Sequence, residues 1–235
     1  MGNCNYLLAH VLVNCVIFGF DGKKLSVLLV EKTDRSDAVS NQKLPGRLIC
    51  NEENMDQAAE RVLYEMTGLK KIAMKQFKCF NLIECTPNPE DSNRPALEYG
   101  DDIDRLMIVT YLSLVKIDRT INVPKSDSAM WYSVDDMPAS SNRIIKESLK
   151  EIQEQFANKP QMAFELLPSK FTALQLRMVY EAMYHRKYDV RNFHKKLAQL
   201  DYIVPLDERQ KNVSHRAARY YRFDKVQYKR RMDCL

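Results

Sequence analysis

The sequence lacks the cysteine and histidine spacings that hold zinc, and it lacks a long uninterrupted hydrophobic segment. Its six cysteines form no CxxC pair and no Cys/His cluster, which argues against a structural zinc site. The apolar run from Leu7 to Phe20 is interrupted by His10 and Asn14 and is too short to span a bilayer, so a buried strand explains it better. No segment resembles a secretory signal. We therefore expect reduced thiols and a cytoplasmic location, without membrane association.

Charge is distributed unevenly along the 235 residues. Residues 165–235 contain 16 Lys and Arg against 8 Asp and Glu, a net charge of +8, whereas residues 1–164 contain 20 basic and 23 acidic residues. A near-neutral N-terminal part and a basic C-terminal part predict two functions, the second involving an anionic partner such as nucleic acid or a membrane surface. The length allows one or two domains.

The first part predicts an α+β fold, because apolar segments typical of strands are mixed with two segments of helical spacing. The Asp21-Gly22 pair is a hairpin turn signal. Residues 32–43 and 87–104 are polar and predict loops, and residues 158–168 predict a junction. The predicted strands are His10–Phe20, Leu25–Val30, Phe77–Ile83, Leu106–Val115 and Trp131–Val134, and the predicted helices are Asn54–Met66 and Ser141–Phe156.

The first predicted helix carries the most informative pattern of the chain. With the segment before it, and aligned on Gly68, it resembles the Nudix box, G-x5-E-x7-R-E-U-x-E-E-x-G-U. The matching residues are Glu53, Arg61, Leu63, Glu65 and Gly68. The departures are Arg47 for the opening Gly and Val62 and Met66 for two of the Glu residues.

The departures change the expected chemistry. Positions 62, 65 and 66 share one helix face, and in the Nudix family this face carries three carboxylates that hold Mg²⁺ against a diphosphate. Mg²⁺ prefers an octahedron of oxygen ligands, and Val62 and Met66 offer none. We therefore predict no metal, no cofactor and no catalytic residue, with Glu53 and Glu65 as remnants of a metal site. Arg61 and Glu65 are also spaced like an ordinary surface ion pair.

The basic region predicts two helices followed by a hairpin. Thr172 is a suitable N-cap for a helix reaching about Tyr184, and Asp189 is a suitable N-cap for a second helix reaching about Leu200. In the second helix the spacing predicts that Val190, Phe193, Leu197 and Leu200 point inward. Strands are predicted at Tyr202–Pro205 and Ala218–Phe223. This order is typical of a winged helix-turn-helix, here over residues 169–235.

The second helix of such a unit enters the major groove of DNA. Arg and Asn suit guanine and adenine edges, whereas Lys mostly contacts phosphate. The alternative is a solvated helical pair whose basic residues only keep it soluble. A membrane partner is disfavoured because the helices lack a large exposed apolar face. The predicted DNA-binding residues are Arg191, Asn192, His194, Lys195 and Lys196, with Arg216 and Arg219 in the wing.

Three segments of the C-terminal region, residues 166–176, 189–197 and 216–223, resemble the Nudix-related transcriptional regulators. The resemblance implies an α+β chain with a Nudix-type mixed-sheet α/β/α domain in residues 1–157 and a winged helix-turn-helix domain in residues 169–235. It implies a homodimer on palindromic double-stranded operator DNA. It also implies that the Nudix pocket binds an effector, either an ADP-ribose-like compound or a free sugar such as arabinose.

Our main hypothesis is a ligand-responsive transcription factor for sugar utilisation, with pentose as the favoured class. A sugar needs hydrogen bonds and apolar surface but no metal. The candidate pocket residues are Lys32, Arg47, Asp104 and Arg105.

Two alternatives remain open at this point. One is an active Nudix pyrophosphohydrolase acting on ADP-ribose or nucleoside diphosphate derivatives, with further oxygen ligands from Glu98, Asp101, Asp102 or Asp104. The other is a binding module that uses its C-terminal region only to dimerise.

Overall fold

The computed structural model describes residues 10–31, 42–81, 106–118, 121, 129–137, 143–211 and 217–233. The chain divides into two compact units. The first comprises residues 1–19, 26–115 and 119–152, and the second comprises residues 153–235 with the short segments 20–25 and 116–118. In the part of the chain that is described, no helix is long and apolar enough to cross a bilayer.

The strands and the two helices that the sequence predicts for this part of the chain are present, so the α+β class is confirmed. Two short strands, at residues 42–43 and 46–48, were not predicted. The strands are β1 (His10–Phe20), β2 (Leu25–Glu31), β3 (Gln42–Lys43), β4 (Gly46–Leu48), β5 (Lys75–Asn81), β6 (Leu106–Lys116) and β7 (Ala129–Ser133). The helices are α1 (Met55–Thr67) and α2 (Arg143–Asn158), of which the residues from Gln153 onward belong to the second unit, and a 3-10 turn follows β7 at Val134–Asp136.

The seven strands form one sheet in the order β3-β2-β1-β6-β5, with β4 paired to β1 and β7 paired to β2. Alternate residues of β1, namely Val13, Cys15 and Ile17, are fully buried in one core cluster, as the period-two geometry of a strand requires. Helix α1 contributes Ala58 and Val62 to the same cluster. Helix α1, which carries the residues that resemble the Nudix box and is called the box helix below, is therefore fixed to the centre of the sheet by its apolar face.

The second unit is built from short helices and a small sheet. Strand β10 lies at its centre and pairs antiparallel with both β8 and β9. The final helix, at residues 225–233, was not predicted, and neither were α3 and β8. After α2 the elements are α3 (Met162–Glu165), β8 (Phe171–Thr172), α4 (Ala173–Tyr184), α5 (Val190–Ala198), β9 (Ile203–Arg209), β10 (Arg219–Phe223) and α6 (Lys225–Asp233).

One predicted core position is wrong. Val190 is the first residue of α5 and is 53% exposed, although its spacing from Phe193 predicts that it points inward. Only Phe193 and Leu197 of this helix are buried. The helix also ends at Ala198, before Leu200. The helical period alone therefore predicts more buried positions than this nine-residue helix has.

Candidate functional site

Helix α1 is held at both ends by local interactions of its own sequence. At its start, the Asn54 side chain accepts a hydrogen bond from the Gln57 backbone N–H, and the Gln57 side chain accepts one from the Asn54 backbone N–H, both at 2.9 Å. This is a capping box. At its end, Gly68 adopts a left-handed conformation with φ 71°, which glycine adopts without steric cost. These caps fix the turns that carry Arg61 and Glu65.

Two residues that match the Nudix box, Glu53 and Arg61, form a structural pair. Arg61 Nε donates to Glu53 Oε2 at 2.8 Å, and Arg61 Nη2 also donates to the Leu48 carbonyl at 3.1 Å. Glu53 additionally accepts the Cys50 backbone N–H at 2.7 Å. The Arg61 guanidinium lowers the pKa of Glu53 to about 2. The pair therefore ties the segment before α1 to the helix.

The helix face that carries metal ligands in the Nudix family does not fit Mg²⁺ here. Val62 is fully buried in the core. The Met66 sulfur accepts a hydrogen bond from the Gly46 backbone N–H at 3.2 Å. Among the described residues there is no group of three or more His, Cys, Asp or Glu side chains that could hold a metal ion. Glu65 is thus the one carboxylate of this face, and the oxygen-rich shell that Mg²⁺ requires is missing from it.

Glu65 lies between two arginines. Its Oε2 atom is 3.6 Å from Arg47 Nε and 3.2 Å from Arg61 Nη1. Together with Glu53, these side chains form a charge-balanced cluster of two guanidinium groups and two carboxylates. The predicted pocket residue Arg47 is therefore adjacent to the box helix. The other predicted pocket residues, Lys32, Asp104 and Arg105, lie outside the described residues, as do Glu98, Asp101 and Asp102.

The close approach of β4 to β1 brings Arg47 to this cluster. Gly46 pairs with Asn14, and a Cβ atom on Gly46 would lie 1.9 Å from the Asn14 Oδ1 atom. Any larger residue at position 46 would have to displace this buried amide. Strand β4 is not predictable from the sequence, because a three-residue strand gives no periodic signal.

A cleft of about 460 Å³ is lined by α1 and by residues 69–74, which follow it. Its apolar wall includes Leu63, Leu69 and Met74, and its rim carries Tyr64 and Lys70. The Lys70 Nζ atom lies 4.3 Å from the centroid of the Tyr64 ring. The volume is in the range of small-molecule sites, but Arg47 is not among the residues that line it.

In the second unit, a tight turn joins α4 to α5. Helix α4 begins with a capping box between Thr172 and Gln175 and ends at His185, which is left-handed with φ 49°. The Glu181 side chain accepts the Tyr188 backbone N–H at 2.9 Å and pairs with Lys187 at 3.3 Å. The Tyr188 hydrogen bond is the largest cause of a pKa for Glu181 below its ordinary value. Glu181 therefore sets the geometry of this turn.

Helix α5 has a buried side and a basic exposed side. Its N-cap, Asp189, accepts the Asn192 backbone N–H at 2.8 Å, as the sequence predicts. Phe193 is buried, with its ring centroid 6.1 Å from those of both Tyr180 and Tyr188. The predicted DNA-contacting residues of this helix are all exposed: Arg191, Asn192, His194, Lys195 and Lys196.

A depression of about 280 Å³ lies beside the start of α5. The predicted residues Asn192 and Lys196 line it one helical turn apart, together with Arg186 and Lys187 of the preceding turn. The Arg186 guanidinium donates to the Tyr188 hydroxyl at 2.9 Å and lies 4.7 Å from the Tyr188 ring centroid. In the sequence this turn reads only as a break between two helices, and its two cations, Arg186 and Lys187, are not among the predicted DNA-binding residues.

The wing is the hairpin of β9 and β10, and it contains one predicted DNA-binding residue within the described part of the chain. Arg219 is in β10, where its guanidinium lies 3.6 Å from Asp207. Arg216 lies outside the described residues. Helix α6 adds a further basic surface after the wing and packs through Tyr228, whose ring centroid is 5.2 Å from that of Tyr202. The exposed basic residues of α6 are Lys225, Lys229, Arg230 and Arg231.

Comparisons with known proteins agree with this arrangement. Residues 163–223 match the family model of the NrtR DNA-binding winged helix domain. No curated protein sequence matches the chain. The crystal structure of Shewanella oneidensis NrtR complexed with a 27mer DNA is similar, with a TM-score of 0.60 at 19% identity, over 91% of this chain and 93% of that one. A MutT/nudix family protein from Enterococcus faecalis has a TM-score of 0.59 at 18% identity, over 93% and 89% of the two chains.

At these identities the solved structures establish the fold, and the family model establishes the type of the C-terminal domain. The fold agrees with the resemblance stated from the sequence, in both the order and the class of the two parts. The chain therefore shares the fold of these solved structures, and residues 163–223 form a winged helix domain that matches the NrtR model.

Proposed function

We propose that this protein is a ligand-responsive transcriptional regulator that binds operator DNA through residues 169–235 and senses an effector through residues 1–157. The observation that carries the proposal is α5, which buries Phe193 and Leu197 and exposes a row of polar and basic side chains in a winged helix of the NrtR type. The similar S. oneidensis protein was crystallised with DNA. We further propose a homodimer on a palindromic site in the cytoplasm.

The roles of individual side chains follow from their chemistry and exposure. Arg191 and Asn192 lie in the first turn of α5 and are proposed to contact base edges, since their side chains can form bidentate hydrogen bonds with guanine and adenine. Lys195 and Lys196 are one turn further along and are proposed to contact phosphates, with His194 beside them. Arg216 and Arg219 are proposed to contact the neighbouring backbone from the wing.

The Lys195→Ala substitution tests this interface. It should weaken binding to all duplex sequences and reduce the slope of log K against log salt by about 0.9, which is the counterion release of one phosphate contact. The measurement is fluorescence anisotropy with labelled duplex DNA over a range of salt concentrations. Lys75→Ala, an exposed lysine of β5, is the matched control and should leave the slope unchanged. An unchanged slope for Lys195→Ala would remove this residue from the interface.

We propose that the effector is an uncharged sugar, with a pentose such as arabinose as the favoured candidate. The cluster of Arg47, Glu53, Arg61 and Glu65 supports this, because its two guanidinium groups and two carboxylates balance in charge and offer hydrogen-bonding groups to a neutral ligand. An ADP-ribose-like effector is the alternative. DNA would be released only if the effector has a higher affinity for the conformation that cannot bind DNA than for the conformation that can.

Thermal melting with arabinose or ADP-ribose, each with Mg²⁺ or with EDTA, tests this choice. A ligand that binds only the folded protein raises the melting temperature, and we expect arabinose to do so equally in Mg²⁺ and in EDTA. Stabilisation by ADP-ribose that requires Mg²⁺ would contradict the proposal. So would Mg²⁺-dependent cleavage of ADP-ribose that Glu65→Gln abolishes, since that would establish the pyrophosphohydrolase alternative.

A further inference from the structure

The Arg47 side chain is placed where a cation bound to Glu65 would otherwise be expected. Its Nε atom is 3.6 Å from the Glu65 carboxylate, and the two side chains are 56% and 43% exposed. Arg61 approaches the same oxygen atom from within α1. The Glu65 carboxylate therefore already has two guanidinium groups beside it, of which Arg61 is shared with Glu53.

We propose that Arg47 is a built-in replacement for the divalent cation of the Nudix box, so that ligand contact at this box is independent of metal. The inference does not depend on DNA binding by the second unit. A divalent ion approaching Glu65 would be repelled by the Arg47 guanidinium. It would also find a sulfur atom at Met66, already hydrogen bonded to Gly46, where an oxygen ligand is needed.

The position of Arg47 on the scaffold is well defined. It lies in the middle of β4, where its backbone is in register with Val13 of β1. The preceding residue, Gly46, is in close contact with Asn14, which fixes the distance between the two strands. Arg47 is consequently held on a sheet at the end of α1 and not on a separate loop, as a group that replaces a fixed ion must be.

The exposed guanidinium determines the class of ligand. Arginine has five N–H donors in a planar fork, and the Arg47 side chain is more than half exposed beside an acceptor, Glu65. Such a donor and acceptor pair suits a small molecule rich in oxygen atoms that are contacted by direct hydrogen bonds. Coordination through a metal is not needed for this contact.

Binding of Mn²⁺ alone, measured by electron paramagnetic resonance, tests the proposal. Met66→Glu places a second carboxylate beside Glu65, yet with Arg47 present it should gain little affinity. The double variant Arg47→Ala/Met66→Glu should bind Mn²⁺ at least tenfold more tightly than Met66→Glu alone. Arg47→Lys/Met66→Glu, which keeps the positive charge, should remain as weak as the single variant.

Two controls keep the result specific. Arg143→Ala/Met66→Glu removes an exposed arginine of α2 that pairs with Glu147, and it should not gain affinity. Wild-type protein and its Glu65→Gln variant should bind Mn²⁺ equally weakly. This comparison introduces no new carboxylate, so it holds even if the double variant does not fold. Equal Mn²⁺ affinity with and without Arg47, or Glu65-dependent binding in the wild type, would overturn the proposal.

Discussion

Replacing Phe193 by alanine is expected to lower the free energy of unfolding by about 3–5 kcal/mol, the usual cost of removing a buried aromatic side chain. The Phe193 ring is in edge contact with Tyr180 and Tyr188, so it links α4, the turn and α5. Losing it should also abolish specific DNA binding, because the orientation of α5 depends on this contact. Urea denaturation and anisotropy measure the two effects.

Val190→Ala is the matched control for this experiment. Both residues are apolar and lie in the first turn of α5, but Val190 is 53% exposed and its loss should cost less than about 0.5 kcal/mol, as for surface substitutions generally. Equal losses for the two variants would contradict the described orientation of α5. Equal losses would instead indicate that Val190 points inward, as the helical period predicts.

The second large effect is expected from Arg61→Ala. Arg61 donates hydrogen bonds to Glu53, to the Leu48 carbonyl and to Glu65. Removing Arg61 leaves the largely buried carboxylate of Glu53 without its cation. We expect a loss of about 2–4 kcal/mol, between the value of one charged hydrogen bond and that of a fully buried ion pair. Arg143→Ala, which breaks an exposed pair with Glu147, should cost less than about 1 kcal/mol.

The pH dependence of the Arg61 effect has a definite sign. The pKa of Glu53 is lowered from 4.5 to about 2 in the folded protein, so its contribution to stability is fully present above 4.5 and is lost as the pH falls towards 2. The stability difference between wild type and Arg61→Ala should therefore shrink as the pH falls below 4.5. The measurement is urea denaturation of both proteins from pH 6 to pH 3.5. A constant difference in the free energy of unfolding over this range would show that the Arg61 effect does not depend on ionised Glu53.

Local signals predicted the elements well where they were periodic or capped. The run of β-branched and aromatic residues in β1, which is buried from Leu12 to Phe20, and the N-caps at Thr172 and Asp189 are local features of the sequence. Helix α6 was not predicted because it is almost wholly polar, and Tyr228 is its one buried residue. Without an apolar stripe, the period of 3.6 residues leaves no trace in the sequence.

The candidate sites depend more on contacts between distant residues. The sequence predicts that the box helix lost two carboxylates, but it does not predict that Arg47 would pair with Glu65, since this requires β4 to lie beside the end of α1. Likewise, Arg186 joins Asn192 and Lys196 around one depression only because Glu181 closes the turn. Such groupings arise from tertiary packing, which local propensity and spacing do not encode.

We expect this chain to bind DNA in a sequence-specific manner, and selection from a random duplex pool tests this most directly. The full protein, free of effector and at near-physiological salt, should enrich a palindrome whose half-sites are about one helical turn apart. The same selection with the candidate sugar should show whether that site is released. Salt-sensitive binding without any enriched sequence, both with and without arabinose or ADP-ribose, would contradict the account of this protein as an operator-binding regulator.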